Sequence, residues 1–227
     1  MKRFAWLSLI LLLVVALSGV DFKLYDDLDI AASIARLEKK DLILMFSSDS
    51  CYYCIKFKEE TMMNDEVRKL LNANFVMVEI TYDADKKSVI LGDELKYSQL
   101  FDVFGIRGTP TFWFLTMETT PLTFLPGYVP AKDFSAVLRY IAQRLFAKGV
   151  KFKDYVKEND DFLCEPKLVK LSSEEIEYLM KLDPLVRKLR EKPSKVERWR
   201  TYVVESTDLA HTLMELGVSR VVLPGGE

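Results

Sequence analysis

The stretch DLILMFSSDSCYYCIKFKEE, residues 41–60, decides the fold of this chain. It joins an apolar run, a short polar turn, a C-x-x-C pair and a helical pattern. Such a strand delivers Cys51 to the first turn of a helix, where unpaired backbone N–H groups and the helix dipole stabilise a thiolate. The stretch therefore predicts a redox-active dithiol in which Cys51 attacks and Cys54 is the shielded partner.

A C-x-x-C pair is not specific by itself, because it also occurs in structural disulfides and as half of a zinc site. A structural zinc ion needs about four ligands. Besides this pair the chain offers only Cys164 and His211, both far downstream. The redox interpretation is therefore favoured over a metal site, a structural disulfide stays open as an alternative, and neither a metal nor a cofactor is expected.

Composition limits the size of the fold and the class of partner. A chain of 227 residues that is 49% hydrophobic can bury one full core and a second, smaller one. Its net charge of −2 and its lack of a Lys/Arg cluster give no positive field for a phosphate backbone. We therefore expect one domain with an appendage, or two domains, and no nucleic-acid partner.

The first twenty residues have the pattern of an export signal. Lys2 and Arg3 precede an uncharged run over 4–17, and small residues follow before Asp21. The run is short for a membrane span, which favours cleavage, and an uncleaved signal would tether the protein. Val20 stands where a lipidated cysteine would be, which disfavours a lipid anchor. In either case the cysteine pair is expected in an extracytoplasmic compartment, periplasmic or secreted, where disulfides persist.

The patterns around the cysteine motif alternate between helix and strand. The predicted elements are a helix from Asp26 or Asp27 to about Lys39, a strand over 42–46, a helix from Cys51 to Met62 or Met63, a helix from Asn64 or Asp65 to Leu71, and a strand over 75–81. This β-α-β order predicts a parallel strand pair with a right-handed crossover.

The following segment adds a hairpin and two helices. Residues 83–94 suit a short hairpin or excursion, and a helix over 95–104 is ended by Gly105. GIRGTPTFWFL, residues 105–115, places Thr109-Pro110 at the start of a strand, where a cis bond is a reasonable hypothesis. A strand over 122–128 pairs back, and Pro130 opens a helix to about Ala147.

This order of elements resembles the thioredoxin fold. FSSDSCYYC, VFGIRGTPTFWF and LPGYVPAKDFSAVLRYI resemble the periplasmic thioredoxins of the SoxW type and, more loosely, the C-terminal domain of the DsbD reductase. The likeness covers about residues 25–146 of a predicted domain over 21–148. It implies that Cys51 attacks, that Cys54 resolves, and that Thr109 and Pro110 form a cis-proline segment that holds the substrate backbone.

Two departures from the thioredoxin pattern concern proton transfer and specificity. Met45 stands where thioredoxins usually have a buried aspartate, and Glu79 stands on the next strand where they commonly have a lysine. Glu79 either replaces the missing aspartate as the base for Cys54 or is an edge residue in water. Tyr52 and Tyr53, between the cysteines, are either a contact surface for a partner or packed side chains.

The tail is predicted as a linker over 149–166 and a small α/β appendage over 167–227. Cys164, in the linker, is expected to be a free buried thiol rather than one that pairs between molecules. The predicted appendage contains a helix from the capping box at Ser172 to Lys181, a helix from Asp183-Pro184 to Arg190, a strand over 202–205, a helix over 207–216 and a strand over 220–223.

The end of the chain resembles the closing β-α-β segment of rhodanese domains. Rhodanese chemistry needs a cysteine after the first of these strands, and Glu205 and Ser206 stand there instead. The likeness therefore implies a degenerate module without sulfur transfer. His211 is expected to be a packed or surface residue rather than a catalyst.

Together the motifs predict an exported thiol-disulfide oxidoreductase of thioredoxin-like α/β fold with a small C-terminal α/β appendage. The expected reaction is reduction of disulfides in exported proteins, with electrons from a membrane or periplasmic thiol donor. Oxidation or isomerisation of disulfides is an alternative within the same class. A non-catalytic partner-binding module, with the cysteines in a structural disulfide, is an alternative from another class.

Overall fold

The computed structural model describes residues 19–225, so the export signal predicted over 1–20 lies almost wholly outside the described residues. The described strands are β1 (Leu24–Tyr25), β2 (Asp41–Ser47), β3 (Phe75–Thr81), β4 (Lys87–Ile90), β5 (Asp93–Lys96), β6 (Thr111–Leu115), β7 (Pro121–Pro126), β8 (Lys167–Leu171), β9 (Arg187–Leu189), β10 (Thr201–Val204) and β11 (Arg220–Pro224). The described helices are α1 (Leu28–Glu38), α2 (Tyr52–Lys56), α3 (Asp65–Asn74), α4 (Tyr97–Val103), α5 (Ala131–Ala142), α6 (Phe152–Tyr155), α7 (Ser173–Leu182) and α8 (Thr207–Glu215), and a π-helical segment over Phe57–Thr61 continues α2.

A five-stranded mixed sheet forms the thioredoxin-like part, in the order β1-β3-β2-β6-β7. β2 is parallel to β3, as the β-α-β pattern predicts, and antiparallel to β6, with Phe46 opposite Thr111. β2 leads to Cys51 at its carboxyl end, and β6 starts directly after Pro110. Because the two strands are antiparallel, the end of β2 and the start of β6 lie side by side at one end of the sheet.

Both faces of this sheet are buried, which explains why β2 reads as a continuous apolar run. Leu42, Leu44 and Phe46 point to one face, which α1 and α4 cover. Ile43 and Met45 point to the other face, which α3 and α5 cover. The two faces follow the two-residue period of a strand, so the central strand contributes side chains to two cores.

Local side-chain hydrogen bonds fix the starts of two helices. The Asp27 carboxylate accepts from Ile30 N at 3.0 Å, and the Asn64 side chain accepts from Glu66 N at 3.0 Å and Val67 N at 3.2 Å. Both caps were among the predicted alternatives, because Asp and Asn satisfy the free N–H groups of a first helical turn.

The tail forms a second sheet, parallel throughout, in the order β8-β11-β10-β9. α7 packs against α1, and its Ile176 and Leu179 belong to the same apolar cluster as Leu28 and Ile34 of α1. α1 is therefore covered by the tail on one side and by the first sheet on the other. The predicted appendage shares a core with the thioredoxin-like part.

One prediction for the tail is wrong, and one strand of the tail was missed. The expected helix from Asp183-Pro184 to Arg190 is replaced by β9, which pairs with β10. Asp183 ends α7, and its carboxylate accepts from Leu185 N at 2.7 Å, which turns the chain out of the helix. β8 was not predicted at all, although KLVKL has the two-residue alternation of a half-buried strand.

The predicted linker, residues 149–166, packs against the thioredoxin-like part. Within the linker, the Phe152 and Tyr155 rings of α6 pack on the Tyr140 ring of α5, with centroids 5.2 and 5.5 Å apart. α5 itself ends at Ala142, short of the predicted Ala147, and Arg144 then takes a left-handed conformation with φ 55°. The segment therefore continues the packing of the thioredoxin-like part toward the second sheet.

Candidate functional site

The two cysteines form a disulfide at the start of α2. The Cys51 and Cys54 sulfurs are 2.08 Å apart, and Cys51 is the N-cap residue of the helix. The Cys51 sulfur accepts from Cys54 N at 3.1 Å, which places it against the free N–H groups of the first turn. Cys51 is partly exposed and Cys54 is fully buried, so a partner can reach one sulfur and not the other.

Three tyrosines form an exposed aromatic surface beside Cys51: Tyr52, Tyr53 and Tyr128. Tyr52 is 68% exposed, and its ring lies 5.3 Å from that of Tyr53. Tyr53 lies 6.1 Å from Tyr128, whose hydroxyl donates to Glu60 Oε2 at 2.8 Å. Tyr52 and Tyr53 are exposed, so they do not pack into the core.

Thr109 and Pro110 directly precede β6, at the end of the sheet where β2 leads to Cys51. The peptide bond between them is cis. The Pro110 carbonyl accepts from Gly127 N at 2.8 Å, and the next residue, Tyr128, contacts Tyr53. The 109–110 segment and the cysteine helix are therefore connected through residues 127–128. The thioredoxin resemblance implies that this segment holds the substrate backbone beside the cysteine pair, and that role stays a prediction.

Glu79 pairs with a lysine rather than with a cysteine. It lies opposite Met45 across β2 and β3, and its Oε1 is 2.9 Å from the Lys58 ammonium. Lys58 follows Cys54 by four residues, one helical turn along the chain. The Glu79 side chain is largely buried, so it is not a residue in open water, and the hydrogen bonds of the described residues give it no direct contact with Cys54.

The sequence patterns did not identify Lys58 and Tyr128 as neighbours of the cysteine site. The spacing of Lys58 from Cys54 was a usable signal, because residues four apart lie on one side of a helix. No spacing marks Tyr128, since it reaches Tyr53 only when β7 folds back beside β6.

The remaining candidates lie away from this site. Cys164 is free and buried, as predicted, and burial raises the pKa of its thiol. Its sulfur lies 3.6 Å from the Gly217 carbonyl. Glu205 pairs with Lys188 at 2.8 Å, and His211 is exposed on α8.

Residues 19–225 contain neither a candidate metal site nor a candidate membrane-spanning helix. That part of the chain brings no three His, Cys, Asp or Glu side chains together in a way that could hold a metal ion. Every helix in it falls short of the length and apolar character that a bilayer crossing requires.

Several solved structures are similar to this chain. A thioredoxin-fold protein from Helicobacter pylori is 20% identical, with a TM-score of 0.46, over 68% of this chain and 98% of that chain. A thioredoxin from Thermus thermophilus is 24% identical, with a TM-score of 0.45, over 56% and 92% of the two chains. The reduced DsbD C-terminal domain from Neisseria meningitidis is 20% identical, with a TM-score of 0.39, over 49% and 89%.

No curated protein matches the chain, and the narrower SoxW-type and rhodanese-like resemblances stay predictions. The family model for the thioredoxin-like domain matches residues 28–142, just over half of the chain. The match begins at α1, ends with α5 and contains both cysteines. By this match, the chain belongs to the family of thioredoxin-like domains.

Proposed function

We propose that this protein is an exported thiol-disulfide oxidoreductase that reduces disulfides in extracytoplasmic proteins. The observation that carries the proposal is the asymmetry of the pair: Cys51 is partly exposed at a helix start, while Cys54 is fully buried. A structural disulfide needs no such difference, whereas thiol-disulfide exchange needs one sulfur that a partner can reach and one that waits.

The proposed reaction consists of two successive thiol-disulfide exchange steps. The Cys51 thiolate attacks one sulfur of the substrate disulfide, a Cys51–substrate bond forms, and the other substrate sulfur leaves as a thiolate that takes a proton. Cys54 then loses its proton and attacks Cys51, which releases the second substrate thiol and leaves the Cys51–Cys54 disulfide. Two electrons pass to the substrate, and an external thiol donor in the membrane or periplasm returns the pair to the reduced state.

The surrounding residues have separate proposed roles. Tyr52 and Tyr53 provide exposed aromatic area for a protein partner, and Thr109 and Pro110 hold the substrate backbone, as the thioredoxin resemblance implies. Glu79 acts with Lys58 in accepting the proton of Cys54. The support for this last role is the position of the ion pair one helical turn after Cys54, opposite the apolar Met45.

Export and reductive direction rest on the sequence alone. The charged start, the uncharged run over 4–17 and the small residues before Asp21 support a cleaved signal. The reductive direction is supported by the SoxW-type and DsbD resemblances. N-terminal sequencing of the protein purified from its native cell should start near Asp21, and thiol trapping in that cell should find the pair mainly reduced. A cytoplasmic protein would contradict the export proposal, and a mainly oxidised pair would favour an oxidase.

Cysteine variants test the exchange reaction itself. Cys51→Ser should abolish reduction of protein disulfides, because the attacking sulfur is gone. Cys54→Ser should accumulate mixed disulfides on Cys51, which non-reducing gels and mass spectrometry detect. Cys164→Ser is the matched control and should keep full activity. Faster alkylation of Cys54 than of Cys51 in the reduced protein would reverse the assigned roles, and reversible partner binding without exchange would support a non-catalytic module.

A further inference from the structure

A groove of about 700 Å³ borders the 109–110 segment. We call it the aromatic groove, because its apolar wall is built from Phe104, Trp113 and Phe124. Trp113 of β6 lies opposite Phe124 of β7, and their rings stack with centroids 5.0 Å apart and an interplanar angle of 24°. Phe104 packs edge-on against Trp113 at 5.3 Å. The wall is a continuous set of three rings.

A hydrogen bond restrains the central ring of the wall, and part of the wall faces solvent. The Trp113 indole N–H donates to the Phe104 carbonyl at 3.1 Å, which fixes the ring without leaving a free polar group. Phe124 is 54% exposed because β7 is the edge strand of the sheet. Fixed, partly exposed aromatic side chains give large contact area at small entropic cost, and such residues are enriched where proteins bind partners.

The groove is continuous with the proposed exchange site. Gly108, Thr109 and Pro110 line it, and the last two are the residues to which the proposed function assigns the substrate backbone. A polypeptide held at Pro110 with its disulfide at Cys51 therefore has its flanking residues beside this wall. Neither the cysteines nor the tyrosine surface line the groove.

Charge indicates what kind of segment fits. Arg107 is exposed and is the one charged side chain among the described residues that line the groove. Within residues 19–225 its guanidinium makes no ion pair and donates no side-chain hydrogen bond, although most other arginines of this part do. A free guanidinium beside an aromatic wall is complementary to a carboxylate next to a large apolar side chain.

We propose that the aromatic groove binds the segment flanking the target cysteine of a protein substrate and selects a large apolar residue accompanied by an acidic one. The inference rests on the proposed function for the identity of its occupant. It makes Phe124 and Arg107 specificity-determining residues, and neither takes part in the exchange of sulfur.

Binding is measured first, on peptides that cannot react. The probe is a short synthetic peptide with serine in place of the central cysteine, leucines on both sides and a glutamate at each end. One matched peptide has serines for the leucines, and another has lysines for the glutamates. Calorimetry with the wild-type protein should give the tightest binding for the leucine-glutamate peptide. Equal binding of the three peptides, or no binding, would overturn the inference.

Variants assign the preference to the groove. Phe124→Ala should weaken binding of the leucine-glutamate peptide about fivefold, or about 1 kcal/mol, which is the size expected for covering a half-exposed ring. Arg107→Glu should reverse the preference between the glutamate and lysine peptides. Tyr178→Ala, which removes an exposed ring from α7, is the matched control and should change neither. A preference unaffected by both groove variants would place the binding site elsewhere and overturn the inference.

Exchange kinetics separate this inference from the proposed function. With the central cysteine restored and linked to glutathione, Phe124→Ala should lower kcat/KM about fivefold for the leucine-glutamate peptide and leave a small aromatic disulfide reagent unaffected. Selective peptide binding without any exchange would refute the proposed function and keep the groove as a binding site. Exchange at equal rates for all peptides would support the function and overturn the groove assignment.

Discussion

Asp183, a buried carboxylate between the two sheets, should make the protein less stable as pH rises above about 4. The reason is that the folded protein holds the Asp183 proton to a higher pH than the unfolded chain does. Asp183 ends α7 and is only 5% exposed, and Glu38, at the end of α1, is fully buried. Burial, together with the nearby Glu38 carboxylate, raises the pKa of Asp183 to about 6, although the Lys40 ammonium acts in the opposite direction. Lys40 is itself held 2.8 Å from Glu38, and Tyr25 also faces this cluster. Lys40 is the cation that lowers the pKa of Asp183, while the buried Arg220 guanidinium interacts with Glu38.

The sign and size of the effect follow from proton linkage. Below about pH 4, Asp183 is protonated in the folded and unfolded protein alike, and its burial carries no charge penalty. As pH rises toward 6, the unfolded chain releases the proton while the folded protein retains it, so the free energy of unfolding falls. A difference of about two pH units corresponds to about 3 kcal/mol. In a protein of this size this is roughly 6–12 °C of melting temperature.

The assay compares Asp183→Asn with the wild type in urea unfolding between pH 4 and 7, with the disulfide intact. Asparagine does not ionise, yet its oxygen can still accept from Leu185 N. Between pH 4 and 7, the free energy of unfolding of the variant should therefore rise by about 3 kcal/mol relative to that of the wild type. Taking this difference removes the pH dependence that the other ionisable groups give to both proteins. Asp161→Asn, at an exposed aspartate, controls for the loss of one charge and should shift the unfolding free energy by less than about 0.5 kcal/mol. A constant difference between Asp183→Asn and the wild type would refute the reasoning.

Four further predictions concern the proton acceptor and the tail. Glu79→Gln should slow resolution of the mixed disulfide about a hundredfold near pH 7 without unfolding the protein, and stopped-flow rates equal to the wild type would return Glu79 to a structural role. Arg220→Met should lower the free energy of unfolding by about 3 kcal/mol, because the buried guanidinium donates to the Glu38 and Lys39 carbonyls and joins the tail to α1; unchanged urea unfolding would contradict this. Truncation after Lys148 should lower the melting temperature and increase binding of a hydrophobic dye, because the apolar outer side of α1 loses its cover. The truncated molecules that stay folded should still reduce a small disulfide. An unchanged melting temperature would show that the tail adds no stability. The full protein should transfer no sulfur from thiosulfate to cyanide, and transfer that is lost in Cys164→Ser would overturn the view of the tail as catalytically inactive.

Much of the thioredoxin-like part could be predicted from local sequence. The apolar run of β2, the bounds of β3 and the caps at Asp27 and Asn64 each depend on neighbouring residues. The positions of the two cysteines were also accessible, because a C-x-x-C pair after a buried strand fixes which sulfur begins the helix. Free, buried Cys164 followed from its being the odd cysteine.

The tail and the surroundings of the site could not be predicted in the same way. β9 lies in a segment whose Asp-Pro start resembles a helix N-terminus, and its pairing with β10 overrides that local signal. α1 has two buried sides, but a single amphipathic stripe in its sequence gives no indication that a second sheet covers the other side.

The dithiol, its likeness to thioredoxins and the order of the surrounding elements could be predicted, because these depend on residues a few positions apart. Which distant groups meet depends on how the whole chain folds. The tertiary structure pairs Glu79 with Lys58, brings Tyr128 to Tyr53, and stacks Trp113 on Phe124. These contacts arise from strand register and from the packing of helices on sheets, and no local spacing in the chain encodes them.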